Sequence, residues 1–163
     1  MKRILLLLFT VPTLVIAQEN IVSSDELDFV LNANGTFIVQ FEEKPFSGIC
    51  QEYHSKDMVA ERGHYKDGLR DGTWSYYDEN GQLHMESTYM NGVKIGVSRW
   101  SKNGQLVYEA TYKEVEPDGS QECFSRSWYE NGQLESEGTF NVKDGNPIGV
   151  WKNWSENGEL IKE

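Results

Sequence analysis

The stretch GTWSYYDENGQLHMESTYMNGVKIG, Gly72 to Gly96, decides the fold. Asn80-Gly81 at its centre is a dipeptide suited to the left-handed backbone of tight hairpin turns, and aromatic and alternating residues flank it on both sides. Parity selects the loop length. A two-residue loop would set Tyr77 opposite His84, on the face away from Leu83 and Tyr89. A three-residue loop, Glu79-Asn80-Gly81, a type I turn closed by glycine in a bulge position, pairs Tyr77 with Leu83. It leaves Met85 and Tyr89 on that same face and sets His84 opposite Tyr76.

The pattern recurs along the chain. Asn80-Gly81, Asn103-Gly104, Asn131-Gly132 and Asn157-Gly158 are each followed one residue later by a leucine, Leu83, Leu106, Leu134 and Leu160. Three residues before each Asn stands an aromatic, Tyr77, Trp100, Trp128 and Trp154, and a degenerate earlier copy carries Tyr53 and Val59 in these slots. A second aromatic recurs at Tyr65, Tyr89, Tyr112 and Phe140, followed by Gly68, Gly92, Gly119 and Gly145. Units open with Gly72, Gly96, Cys123 or Gly149. Such self-similarity marks a repeat architecture. The same turn rule at Ala33-Asn34-Gly35 predicts a first hairpin over Leu27 to Phe41, pairing Leu31 with Phe37, Phe29 with Val39 and Leu27 with Phe41. A short helix capped at Ser24 is the alternative. The expected fold is all-β: an elongated antiparallel meander of hairpins in a single layer, without a closed core. Its organisation is a leader at residues 1–17, a divergent N-terminal hairpin at 18–44 and the repeat array at 45–163.

Three of these segments, Gly72 to Gly96, SWYENGQLESEGTF at Ser127 to Phe140 and GVWKNWSENGEL at Gly149 to Leu160, resemble the MORN repeat variant. This variant occurs in bacterial proteins labelled toxin–antitoxin system YwqK-family antitoxins. KPFSGICQEY, Lys44 to Tyr53, is similar to the opening of such arrays. The resemblance implies a sheet scaffold for protein contacts, with no family-wide catalytic residues to carry over. The long linker Val115-Glu116-Pro117-Asp118 and Cys123 in place of a unit-opening glycine depart from the family pattern.

The N-terminus belongs to another class. Lys2-Arg3 precede an apolar run from Ile4 to Ile16, and Val15-Ile16-Ala17 supplies slim residues for cleavage between Ala17 and Gln18. The run is shorter than the roughly twenty residues of a membrane span. These features predict a secretory signal peptide and a mature chain exported to the periplasm or beyond, with no integral membrane span. The formal charge of -11 becomes -13 once Lys2 and Arg3 are removed. Such acidity argues against binding nucleic acid or an anionic membrane face and favours a basic protein partner. An open array also leaves edge strands able to pair with a second copy.

Chemistry-bearing constellations are sparse. His54 and His64 stand about 20 Å apart along one hairpin, so they do not share a metal. Metalloprotease, Walker and nucleophile-elbow motifs are missing from the sequence. Cys50 and Cys123 lie three units apart, roughly 29 Å, beyond the reach of a disulfide, and are expected as free thiols unless they bridge between molecules. Glu86, Glu109 and Glu137 fill one slot per unit and read as a solvated polar ladder. Trp74 and Tyr76, expected beside Glu86 and Thr88 on the second face, form a candidate binding surface. The sequence therefore points to a non-enzymatic exported scaffold without metal or cofactor, binding protein through an acidic sheet. Antitoxin or immunity activity, by family label, and a carbohydrate-binding module are the alternatives.

Overall fold

The computed structural model describes residues 21–162, so the expected leader and its Ala17–Gln18 junction lie outside the described residues. An eleven-stranded sheet holds β1 (Ile21–Val22), β5 (Gly48–Ser55), β6 (Met58–Lys66), β7 (Leu69–Tyr77), β8 (Leu83–Met90), β9 (Val93–Trp100), β10 (Leu106–Tyr112), β11 (Glu122–Trp128), β12 (Leu134–Asn141), β13 (Pro147–Trp154) and β14 (Leu160–Lys162), in that spatial order. From β5 onward every neighbour is antiparallel and sequential, while β1 joins β5 in parallel. The fold is the meander that the repeat predicts.

The turns are uniform. The carbonyls of Asn32, Asp78, Ser101, Tyr129 and Ser155 accept from the amides of Gly35, Gly81, Gly104, Gly132 and Gly158, and each of those five residues donates its own amide to the carbonyl four residues on. Asp78 also accepts the amides of Asn80 and Gln82 on its carboxylate, which holds its carboxyl below the usual range. Tyr53 pairs with Val59, Tyr77 with Leu83, Trp100 with Leu106, Trp128 with Leu134 and Trp154 with Leu160. The three-residue loop is thus the one that forms at each Asn-Gly turn, whereas at the degenerate copy Ser55 pairs with Met58 and leaves only Lys56-Asp57 between them.

The faces differ from the parity argument. Just beyond each of these pairs the register shifts by one residue, so that Tyr76 meets Met85 and Arg99 meets Tyr108. His84, Val107 and their equivalents Ala60, Glu135 and Ile161 are the extra, bulged residues. Strict alternation placed Tyr77, Leu83, Met85 and Tyr89 together. The bulge instead sends the Tyr77–Leu83 row to one face and Tyr76, Met85 and Tyr89 to the other, and His84 has no place opposite Tyr76.

The first hairpin also departs from expectation. Leu31–Phe37 and Phe29–Val39 pair as predicted, but Leu27 follows a 3₁₀ turn over Ser24–Glu26 and does not pair with Phe41. β2 (Asp28–Leu31), β3 (Phe37–Phe41) and β4 (Lys44–Pro45) form a separate three-stranded sheet outside the meander. Val39 donates its amide to the Gly68 carbonyl, and Gly68 donates to Phe46. This small layer lies on one face of the large sheet and encloses a core of Val22, Leu27, Val39, Phe46, Cys50, Tyr65 and Trp74. A local core therefore exists where an open single layer was expected.

Within that face one row obeys a volume rule. A β-carbon on Gly63 would stand 2.0 Å from the Trp74 ring, and one on Gly138 would stand 2.5 Å from Trp151. Each tryptophan follows by two residues a glycine with positive φ, Gly72 or Gly149, which opens the strand and swings the indole over its glycine neighbour. The indole N–H groups donate to the carbonyls of His64 (3.2 Å) and Thr139 (2.8 Å). In the intervening units the row holds Ser87 opposite Val97 and Ala110 opposite Ser125. Large stands against none, and medium against small, as close packing requires.

Candidate functional site

Among the described residues the side of the sheet away from the small layer is open, and it carries three parallel rows. The first runs near the Asn-Gly turns through Tyr77, Leu83, Trp100, Leu106, Trp128, Leu134, Trp154 and Leu160, cross-strand partners spaced about 4.8 Å per strand. All but the exposed Leu160 are half-buried. Tyr77 shares a shallow pocket with Ile49, Arg62, His64, Thr73 and Ser75, which places it on this side.

The second row passes through Gln51, Arg62, Ser75, Glu86, Ser98, Glu109, Arg126, Glu137 and Lys152, one residue per strand from β5 to β13. Here stand the three recurrent glutamates. Arg126, between two of them, donates to Glu137 at 3.1 Å and to Glu109 at 3.4 Å. Arg62 reaches Gln51 at 2.8 Å, and Ser75 donates to Glu86 at 3.1 Å. The ladder carries three cations and three anions, so the acid excess does not sit on this face. It collects in the turns, at Asp78, Glu79, Glu114, Glu116, Asp118 and Glu130. The third row holds Thr73, Thr88, Gly96, Thr111, Phe124, Thr139 and Ile148.

Trp74 and Tyr76 are not a binding surface. Trp74 is 1% exposed, and both pack with the core of the covered face, opposite Ser87 and Met85 rather than beside Glu86 and Thr88. The Arg70 guanidinium lies 3.9 Å from the centre of the Trp74 ring. It donates to Tyr76 at 2.8 Å and to Glu61 at 2.9 Å. These residues build a polar cap over the core.

Of the predicted positions, the turns and the row from Tyr53 and Val59 to Trp154 and Leu160 lie along one rim. Tyr65, Tyr89, Tyr112 and Phe140 lie on the covered side. Arg62 and Arg126, which make the glutamate row a mixed ladder, escaped the sequence reading. Their signal was the spacing of Arg126 and Glu137 about the Trp128–Leu134 pair.

Among the described residues no group of three or more His, Cys, Asp and Glu side chains is placed to hold a metal ion. His54 instead contacts the Tyr77 carbonyl at 2.8 Å. Cys50 and Cys123 are free and buried, on strands six apart. Burial, aided by Glu52 and Glu61, pushes the Cys50 thiol from 9.0 to about 11, and burial raises Tyr76 from 10.0 to about 12. The fold thus favours the protonated form of both groups. Their contribution is complete below the unfolded values near 9 and 10 and is lost as pH rises toward the folded ones. We expect unfolding midpoints in urea to fall between about pH 9 and 11, and Cys50→Ala to flatten that fall. An equally steep decline in the variant would remove Cys50 from the account.

Comparison with known proteins follows the hairpins. The MORN repeat variant model matches residues 70–91, 97–114 and 125–141, each segment falling on one Asn-Gly hairpin. No curated protein matches the chain. A solved structure described as "Crystal structure of GtfA/B complex bound to UDP and GlcNAc" aligns at 15% identity and a TM-score of 0.29, covering 76% of this chain and 25% of that one. The chain therefore spans a quarter of that protein's length. Nothing in these matches supports the antitoxin label. Among the described residues no helix is long and apolar enough to cross a membrane.

Proposed function

We propose that the chain is an exported, non-enzymatic repeat scaffold that binds another protein across the open face of its sheet. One observation carries this reading: the row Tyr77, Trp100, Trp128 and Trp154, regularly spaced, half-exposed and covered by no other element among the described residues. Tryptophan and tyrosine flanked by charged groups are the residues that dominate protein interfaces. The mixed ladder beside them supplies register, because an approaching surface must match alternating charges. The acidic turns would draw a basic partner toward that face at low salt. Export rests on the leader features of residues 1–17, and the repeat match supports a binding module.

Crosslinking of the mature chain in its native periplasmic or secreted fraction tests the reading. We expect one discrete protein adduct, weakened by salt and lost in Trp100→Ser/Trp128→Ser, with Edman sequencing of the exported chain starting at Gln18. An adduct pattern unchanged by the double substitution would remove the open face from the account, and a retained Met1 would remove export.

A further inference from the structure

The connection between β10 and β11 is longer than the others on its rim. Beyond Tyr112 the chain continues through Lys113 to Gln121, with Lys113 bonding back to Glu122 and Glu116 to Ser120 around the turn Pro117-Asp118-Gly119. The extension forms a ledge beside the β8–β9 turn, and the two line one groove. One side of the ledge is braced: Val142 donates its amide to the Gln121 carbonyl at 2.8 Å, and the Lys143 ammonium reaches the Asp118 carbonyl at 3.1 Å. The other side, free among the described residues, forms one wall of a groove of about 840 Å³, within the size range of ligand sites.

The groove is apolar at its base and acidic at its lip. Met90, Val93 and Val115 are each more than half exposed in it, beside Ile95 and Tyr112. Glu114 and Glu116 flank Val115, and among the described residues neither forms a salt bridge, whereas Lys113 on the same wall is held by Glu122. The amides of Glu114 and Val115 make no backbone hydrogen bond among the described residues. Backbone amides without a backbone partner, exposed apolar side chains and carboxylates outside any ion pair thus converge on one step among the described residues.

We infer that this step receives a short extended segment of a basic partner protein, its apolar side chains seated on Met90, Val93 and Val115 and its Lys or Arg residues paired with Glu114 and Glu116. Charge decides the occupant: an acidic chain with two unpaired carboxylates at the lip repels anionic peptides and anionic lipid and attracts cationic ones. The extended backbone beyond β10, where the Glu114 and Val115 amides have no backbone partner among the described residues, offers main-chain hydrogen bonds to an added segment, and the apolar base selects alternate side chains. The inference rests on the protein-binding reading and assigns that partner a second contact, on the rim opposite the Asn-Gly turns.

The test uses the full mature chain and a fluorescein-labelled heptapeptide of alternating lysine and valine, with its glutamate–valine counterpart, read by fluorescence anisotropy. The lysine peptide is expected to bind saturably and the glutamate peptide not to bind. Glu114→Lys/Glu116→Lys, and separately Met90→Ser/Val115→Ser, should each weaken binding by about tenfold or more, roughly 1.4 kcal/mol. Glu156→Lys/Glu159→Lys, the same charge change at exposed positions on the opposite rim, should leave affinity within about twofold, less than 0.5 kcal/mol. Equal loss in the opposite-rim variant, unchanged affinity in both step variants, or no preference for the lysine peptide overturns the inference. So does a dimer that dissociates in the step variants and that the peptide fails to displace, since the occupant is then a second copy. If the peptide ignores the step while native adducts still depend on Trp100 and Trp128, the step fails and the scaffold reading stands. If the peptide binds at the step while those adducts prove independent of the tryptophans, the open-face reading fails and the step stands.

Discussion

Trp74→Ala is expected to lower the free energy of unfolding by about 3–5 kcal/mol, the range for truncating a buried tryptophan. The residue is 1% exposed, closes against the bare backbone of Gly63, stacks edge-on with Tyr65 and donates its indole N–H to the His64 carbonyl. Truncation leaves a cavity that Gly63 has no side chain to fill, and it strips the apolar support from the Arg70 guanidinium. The matching change Trp151→Ala should cost less. Trp151 lies over Gly138 in the same geometry, but it is half-buried, and among the described residues no second layer covers it. Urea denaturation followed by circular dichroism checks both. A cost below about 1 kcal/mol for Trp74→Ala, or equal costs for the two, would contradict the covering role of the small sheet.

Gly68→Ala is expected to cost about 2–4 kcal/mol, and Gly81→Ala only about 1–2, from two causes that the pair separates. Both glycines have positive φ, +81° and +78°, where a side chain is disfavoured. Around Gly81 nothing stands within 4 Å, so its alanine meets backbone strain alone. At Gly68 the new methyl would meet the Val39 carbonyl at 2.7 Å and the Ile38 side chain at 2.9 Å. The clash falls where the two sheets are stitched, since Val39 donates to the Gly68 carbonyl. Urea midpoints measure the difference, and hydrogen exchange at the Val39 amide should quicken in the Gly68 variant alone. Equal costs would show that the junction gives way without penalty.

The reach of the sequence follows the range of the interactions. Turn type and pairing at Asn80-Gly81 and its equivalents are decided within a few residues, and they were legible down to the partner of each recurrent aromatic. The bulges were not, because His84, Val107, Glu135, Ile161 and Ala60 share no chemical type that marks them. One extra residue per hairpin moves a whole stripe to the other face, and so Trp74 and Tyr76 lie with Ser87 and Met85 on the covered face rather than beside Glu86 and Thr88. The covering of the first hairpin was hidden for a different reason. Its Phe29 and Val39 are equivalent by pairing, yet Phe29 is left 67% exposed while Val39 is 2%, a difference made by Gly68, remote in sequence. The Gly63–Trp74 and Gly138–Trp151 pairs were present in the sequence as Gly-x-aromatic followed by Gly-x-Trp, but only contact across the strands gives that spacing meaning.

Face assignment underlies the proposed interface, and hydroxyl-radical footprinting of the tryptophans tests it most directly. In the folded mature chain Trp100, Trp128 and Trp154 should all be oxidised readily, while Trp74 should react about tenfold more slowly, as expected for a side chain enclosed by packed atoms. Oxidation of Trp74 as fast as that of Trp128 would contradict the assignment and return the covered face to solvent.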